Sequence, residues 1–459
     1  MGISRLWWCG IGISFLLVAC GGGGDDPAPT VAAQQSWSQN FGVASNNTNY
    51  DVATDADKNV YLTGGFTGAS LTMGGTTLTR LGSNDAYVAK LNSSGGVVWA
   101  KNFGGTGVTI DGRSVGVDGS GNVYVGGNFS GGNTTSPAMA LLGTSDYFVI
   151  KLDSSGNVLW SKNFGPGSTW NLNRSMYVDS SGNVFIVGSM TSNWTSPALT
   201  KIGSSDGFIV KLDTGGNVVW ARNFGGAGGN ARSWEVTADA SGNVYTSGYF
   251  NTANMTTPAI TLAGGSLDAY LIKLDSSGNE IWSRSYGGAG VSITPGGLAV
   301  DSSGNLYAGF HFSGANLTAP ALTKVGSQDA VLMRIDASGA TDWVRGFGGS
   351  GATFNLNGVV LASGTVHLFG TFSGADLTTP AVTRLGSVDA VRIQVDTAGA
   401  TIASRNHGGA GATVETAATG TVNSANSIVF AGAFSGANLT NPALTKVATR
   451  DIFVLQQDQ

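Results

Sequence analysis

One motif recurs along this chain at an almost constant interval, and the interval limits what the chain can become. Asp85-Ala86-Tyr87-Val88-Ala89-Lys90-Leu91 is followed by related copies beginning at Asp146, Asp206, Asp268, Asp329, Asp389 and Asp451, spaced 60–62 residues apart. A period of this length, built from short apolar runs without helical spacing, marks a propeller or a solenoid. Each unit carries an apolar surface that it cannot cover alone, so its neighbours in the array must cover it.

The repeat from Ser114 to Phe164 shows how one unit folds. Strands are expected at Ser114–Val117, Val123–Phe129, Tyr147–Leu152 and Val158–Phe164, with Ser130–Ser145 as a long connection between the second and third. The other two links, Asp118-Gly119-Ser120-Gly121-Asn122 and Asp153-Ser154-Ser155-Gly156-Asn157, combine an Asp acceptor with residues that tolerate positive φ, as tight antiparallel turns require. Each unit is thus a four-stranded meander. Its second and third strands are apolar on both faces, so both faces must be covered, and a ring of radial sheets supplies two neighbours to every sheet. The expected fold is all-β, a seven-bladed β-propeller of four-stranded antiparallel blades at 50–105, 111–166, 173–226, 232–288, 293–349, 354–408 and 412–456. The last unit stops after its third strand, while Trp37-Ser38-Gln39-Asn40-Phe41-Gly42 matches the fourth-strand sequence Trp99-Ala100-Lys101-Asn102-Phe103-Gly104. The N-terminal strand is therefore expected to close the last blade.

The run Val-Asp-Ser-Ser-Gly-Asn-Val-Tyr, followed by Asp-Ala-Tyr-Val-Ala-Lys-Leu-Asp-Ser-Ser-Gly-Asn-Val-Xaa-Trp, resembles the signature of the bacterial β-propeller repeats called SBBP, over about residues 35–459. The resemblance implies the propeller fold and a secreted or surface location, mostly without an assigned activity. Two repeats depart from it. Ala403 stands where the others have tryptophan, and Ser363-Gly364 and Asn423–Asn426 replace the first Asp turn.

Residues 1–19 read as a signal peptide, with Arg5 before the apolar run Leu6–Ala19. The run ends in Leu17-Val18-Ala19-Cys20, which resembles a bacterial lipobox and implies that Cys20 is acylated and becomes the mature N-terminus. Lipid chains hold such a protein at a membrane through about 0.8 kcal/mol per buried CH₂. Gly21 rather than Asp after the cysteine favours the outer membrane or cell surface. Residues 20–34, rich in Gly, Asp and Pro, read as a flexible tether of roughly 20–25 Å, leaving 35–459 as a single propeller domain. Cys9 lies in the signal, so the folded part has no cysteine for disulfides or thiolate-bound metal. A net charge of −5 with 11% charged residues argues against nucleic acid, which demands a basic face.

Trp37, Trp99, Trp160, Trp220, Trp282 and Trp343 share one position of the fourth strand and are expected to dock adjacent blades. The Asp turns, including Asp55-Ala56-Asp57-Lys58-Asn59, lack the alternating carboxylates of a calcium loop, so no metal is expected there. The long connections carry Pro137, Pro197, Pro258, Pro320, Pro380 and Pro442, and their regular Leu and Ala favour small packed hairpins. Trp194 and Met255 break that pattern and are candidate contact residues. Before the innermost strand, Arg113-Ser114, Arg174-Ser175 and Arg232-Ser233 align, which would gather three guanidinium groups at the channel mouth with Asn173 and Asn230 beside them. Asp111 and Trp170 stand near enough in sequence to line the same rim. Such a cluster suits a carboxylate, phosphate or sulfate; the alternative is pairing with Asp51 or Asp111. No catalytic residues or cofactor are assigned, because His311, His367 and His407, and Glu235, Glu280 and Glu415, are scattered without nucleophile–base or metal spacing. The expected role is an envelope-anchored binding or scaffold lipoprotein recognising protein or polysaccharide. The alternatives are an outer-membrane assembly scaffold and a channel-mouth hydrolase of anionic glycans.

Overall fold

The computed structural model describes residues 35–42, 47–165 and 176–457, apart from the side chains of 35, 36 and 416–419. The described residues form strands, turns and bends, with no helix among them. Cys20, Trp170, Asn173 and Arg174 lie outside the described residues.

Strands Thr109–Val117, Val123–Ser130, Ser145–Leu152 and Val158–Phe164 pair antiparallel in that order. The same meander is made by Asn47–Thr54, Val60–Phe66, Asp85–Leu91 and Val97–Phe103, and it recurs through the later repeats. The innermost strand starts at Thr109, earlier than the apolar pattern from Ser114 suggests. C-terminally, Gln35–Phe41 pairs antiparallel with Arg450–Gln457 in the fourth-strand place.

The Asp turns explain why the chain reverses where it does. Asp118 Oδ1 accepts the N–H groups of Ser120 and Asn122, both at 2.9 Å, while Oδ2 accepts Asn122 Nδ2 at 2.8 Å and the Tyr124 hydroxyl at 3.0 Å. Burial alone would raise the Asp118 pKa, but these hydrogen bonds outweigh it and hold the carboxyl below its usual value. Gly121 sits at φ 79°, the left-handed conformation that side chains disfavour. Asp55 is engaged in the same way by Asp57 N, Asn59 and Tyr61, so its carboxylate is part of a turn.

The core lies between meanders. Tyr61 and Val88 of one pack with Val115, Val125 and Ile150 of the next, and Val52 and Leu62 pack with Val429 and Val454 from the other end of the sequence. Each ladder tryptophan reaches the following meander: Trp99 Nε1 donates to Ser154 O at 3.1 Å, Trp160 to Thr214 O at 3.1 Å and Trp220 to Ser276 O at 3.0 Å.

The long connections are two-stranded hairpins, such as Thr134–Thr135 with Ala138–Met139, and their six prolines follow cis peptide bonds. The Ser136 carbonyl accepts the Gly104 N–H at 3.0 Å, tying one hairpin to the end of the preceding meander. Trp194 and Met255 are not contact residues. Each is only 3% exposed, in the slot that Leu317, Leu377 and Leu439 fill in other hairpins, and the Trp194 ring lies 4.6 Å from that of Phe208. An apolar face against the core decides their place.

Candidate functional site

Five of the innermost strands share a one-residue bulge. Tyr50, Arg113, Trp234, Gly296 and Asn357 each occupy an extra position with no partner across the pair. A bulge bends its strand and re-aims the extra side chain. At this level two cavities meet, both lined by Asn357.

The deeper cavity, about 420 Å³, is bounded by Tyr50, Asp51, Arg113, Ser114, Tyr177 and Glu235 together with apolar residues such as Leu298 and Val359. Arg113 is engaged within it: Nη2 meets Asp111 Oδ2 at 2.9 Å and the guanidinium lies 4.0 Å over the Tyr50 ring. Asn84 Nδ2 also donates to Asp111, at 2.8 Å. The Asp51 carboxylate accepts the Ser114 hydroxyl and the Val115 N–H at 2.9 Å each, spanning two meanders. Its burial pushes the Asp51 pKa up to about 6, against the lowering effect of the Val115, Val52 and Ser114 donors.

The outer cavity, about 560 Å³, opens on the face that carries the hairpins. Trp234, His311, Asn355, Asn357, Thr371 and Glu415 are among its lining residues. Glu415 pairs with Arg450 and accepts the Ser435 hydroxyl.

The shared position expected for Arg113 and Arg232 is not met. Asp111 faces Asn128 and Arg113 is the bulge, whereas Arg232 faces Tyr249 and the bulge is Trp234. The bulge falls two residues later relative to the Arg-Ser dipeptide, so Arg232 stands level with Asp111. Its guanidinium lies 5.9 Å from the Tyr249 ring centre. Asn230 faces Asn251 at the strand start, and neither Asn230 nor Arg232 lines the two cavities. Trp234 was missed by motif reading; its signal is an aromatic in an innermost strand whose counterparts are not tryptophan. His311, set opposite Thr294, lines the outer cavity. His367 and His407 are fully buried elsewhere.

The SBBP β-propeller repeat family matches residues 98–135 and 281–309. These segments are β-propeller repeats. The uncharacterized WD repeat-containing protein L264 of Acanthamoeba polyphaga mimivirus is 28% identical over 367 residues, 71% of this chain and 24% of the viral protein. The chain thus spans about a quarter of that relative's length. Similar solved structures include the polysaccharide lyase Uly1, at 12% identity, 89% coverage of each chain and a TM-score of 0.48. Another is a PL25 ulvan lyase, at 11% identity, 91% and 95% coverage and a TM-score of 0.44.

Proposed function

We propose that this chain is a lipid-anchored recognition protein of the bacterial cell envelope, a seven-bladed propeller that binds polysaccharide at its channel mouth without turning it over. The outer cavity carries the reading: a concave site of about 560 Å³ with one indole, side-chain amides and hydroxyls suits a carbohydrate better than a flat protein partner. Support for a closed seven-bladed ring comes from the pairing of Gln35–Phe41 with Arg450–Gln457 and from links between the terminal meanders. Thr54 Oγ1 donates to Val422 O at 2.9 Å and Ser424 Oγ to Ala56 O at 2.7 Å.

The lipobox at Cys20 supports the anchor, with residues 1–19 removed, 20–34 as tether and 35–459 as the propeller. Gln35 pairs with Gln457 at the end of the strand remote from the hairpins.

A glycan array probed with residues 35–459 tests the function, and metabolic labelling with a palmitate analogue, in wild type and Cys20→Ser, tests the anchor. Retention on envelope polysaccharide without product release is expected. Absence of any carbohydrate binding, with co-purification of an outer-membrane assembly complex, would replace recognition by the scaffold role.

A further inference from the structure

We infer that the outer cavity seats an uncharged pyranose ring on the Trp234 indole; this deepens the recognition reading above and rests on it. Among the described tryptophans, Trp37, Trp99, Trp160, Trp220, Trp282 and Trp343 each donate the indole N–H to a backbone carbonyl in a neighbouring meander. Trp194 is core. Trp234 alone stands at a channel bulge, half-buried, in the wall of the outer cavity.

Its surroundings hold it as a platform. The Tyr249 ring lies 5.8 Å from Trp234 at 47°, and Arg232 lies on Tyr249 in turn. The adjacent Ser233 hydroxyl is 2.7 Å from the Tyr270 hydroxyl, which pins the strand beside the bulge. An indole fixed by packing presents a large apolar face at little entropic cost, and the axial C–H face of a pyranose is the matching apolar surface.

The polar groups around it include side-chain amides and one matched ion pair. Asn355 Oδ1 accepts Gln328 Nε2 at 2.7 Å, which orients that amide and leaves Nδ2 as a donor without a partner among the described residues. The Asn357 amide, in both cavity walls, likewise makes no hydrogen bond among the described residues. Amides that both donate and accept match sugar hydroxyls, which do the same. Glu415 and Arg450 cancel each other's charge, and Arg113 in the deeper cavity is matched by Asp111. Among the described lining residues the one arginine, Arg450, is already paired with Glu415, so a uronate or sulfate placed here would meet a carboxylate and an engaged guanidinium, and charge selects against it.

The test uses the propeller labelled with 5-fluorotryptophan, its Trp234 ¹⁹F resonance assigned by loss in Trp234→Phe. Gluco-, manno- and galacto-oligosaccharides are titrated beside oligogalacturonate and a sulfated galactan fragment, with calorimetry on wild type, Trp234→Ala, Trp234→Phe and Asn357→Ala. A neutral oligosaccharide should shift the Trp234 signal; Trp234→Ala should weaken binding at least tenfold, Asn357→Ala several-fold and Trp234→Phe threefold or less. If only the charged oligosaccharides bind, the neutral-ring inference falls while glycan recognition stands. If neutral sugars bind without moving the Trp234 resonance, or with unchanged affinity in a folded Trp234→Ala, the inference also falls. Binding of none overturns both readings.

Discussion

Trp37 donates its indole N–H to the Ser93 carbonyl at 3.0 Å, although its own strand is paired to the far end of the chain. Ser93 lies in the turn between the third and fourth strands of the first meander, and Trp99, Trp160 and Trp220 use the equivalent turn of the meander that follows them. Gly95 of that turn, at φ 81°, passes so close that an added Cβ would lie 2.7 Å from the Trp37 ring. The arrangement also accounts for Ala403. A tryptophan there would need a third-to-fourth-strand turn in the last meander, but its third strand ends at Gln457 and its fourth is Gln35–Phe41, so no such turn joins them.

Removal of this link should loosen the whole domain. Trp37→Ala is expected to cost about 3 kcal/mol, the scale of a large aromatic truncation, read as a lower midpoint in urea. Deleting residues 35–42 also exposes the edge of Arg450–Gln457 and should cause aggregation. An unchanged melting temperature in the deletion would refute the clasp.

His407 should govern acid sensitivity. It stands where other meanders have Phe103, Phe164, Phe224 and Phe347, and burial, aided by Arg392 and Arg405, lowers its pKa to about 3. The unfolded chain takes up this proton near pH 6.5 and the fold refuses it, so stability is lost as pH falls below 6.5 towards 3. His407→Phe should remove a loss on the order of 3 kcal/mol at pH 4. His367, lowered to about 3 by burial and then by Arg392, keeps a second loss of the same sign. Parallel denaturation curves for mutant and wild type at pH 7 and pH 4 would contradict the assignment.

Asp51 acts in the opposite direction. Its folded pKa of about 6 exceeds the model-peptide value of 3.8, so the fold binds a proton that the unfolded chain releases. This group therefore favours folding increasingly as pH falls from about 7 to 4, by roughly 3 kcal/mol. The stability difference between wild type and Asp51→Asn, measured from pH 4 to 8, should change across that window. A flat difference would show that the carboxyl is not perturbed.

Lys58 occupies the turn position that Gly121 holds in the next repeat, at φ 66°. A side chain in the left-handed region costs about 1–2 kcal/mol. Lys58→Gly should raise the unfolding free energy by about 1 kcal/mol, and a lower midpoint in thermal denaturation would count against the strain.

Regular features were legible because they repeat. The Asp turns, the meander order, the hairpin connections and the tryptophan docking each depend on contacts that a single repeat, or one repeat and its neighbour, carries in its own residues. Trp194 and Met255 misled because a break in the repeat signals a changed residue, not the side on which it lies; packing against Phe208 and its equivalents decided that.

By itself, the sequence determined the unit, its four strands and the all-β class, since turn chemistry and short apolar runs act over a few residues. Only the tertiary structure decided which side chains line the two cavities. A one-residue bulge shifts every later residue of a strand to the other face, and it falls at Arg113 in one innermost strand but two residues after Arg232 in another. Arg113 and Arg232, alike in local sequence, therefore part company, and Trp234 arrives in the wall of the outer cavity.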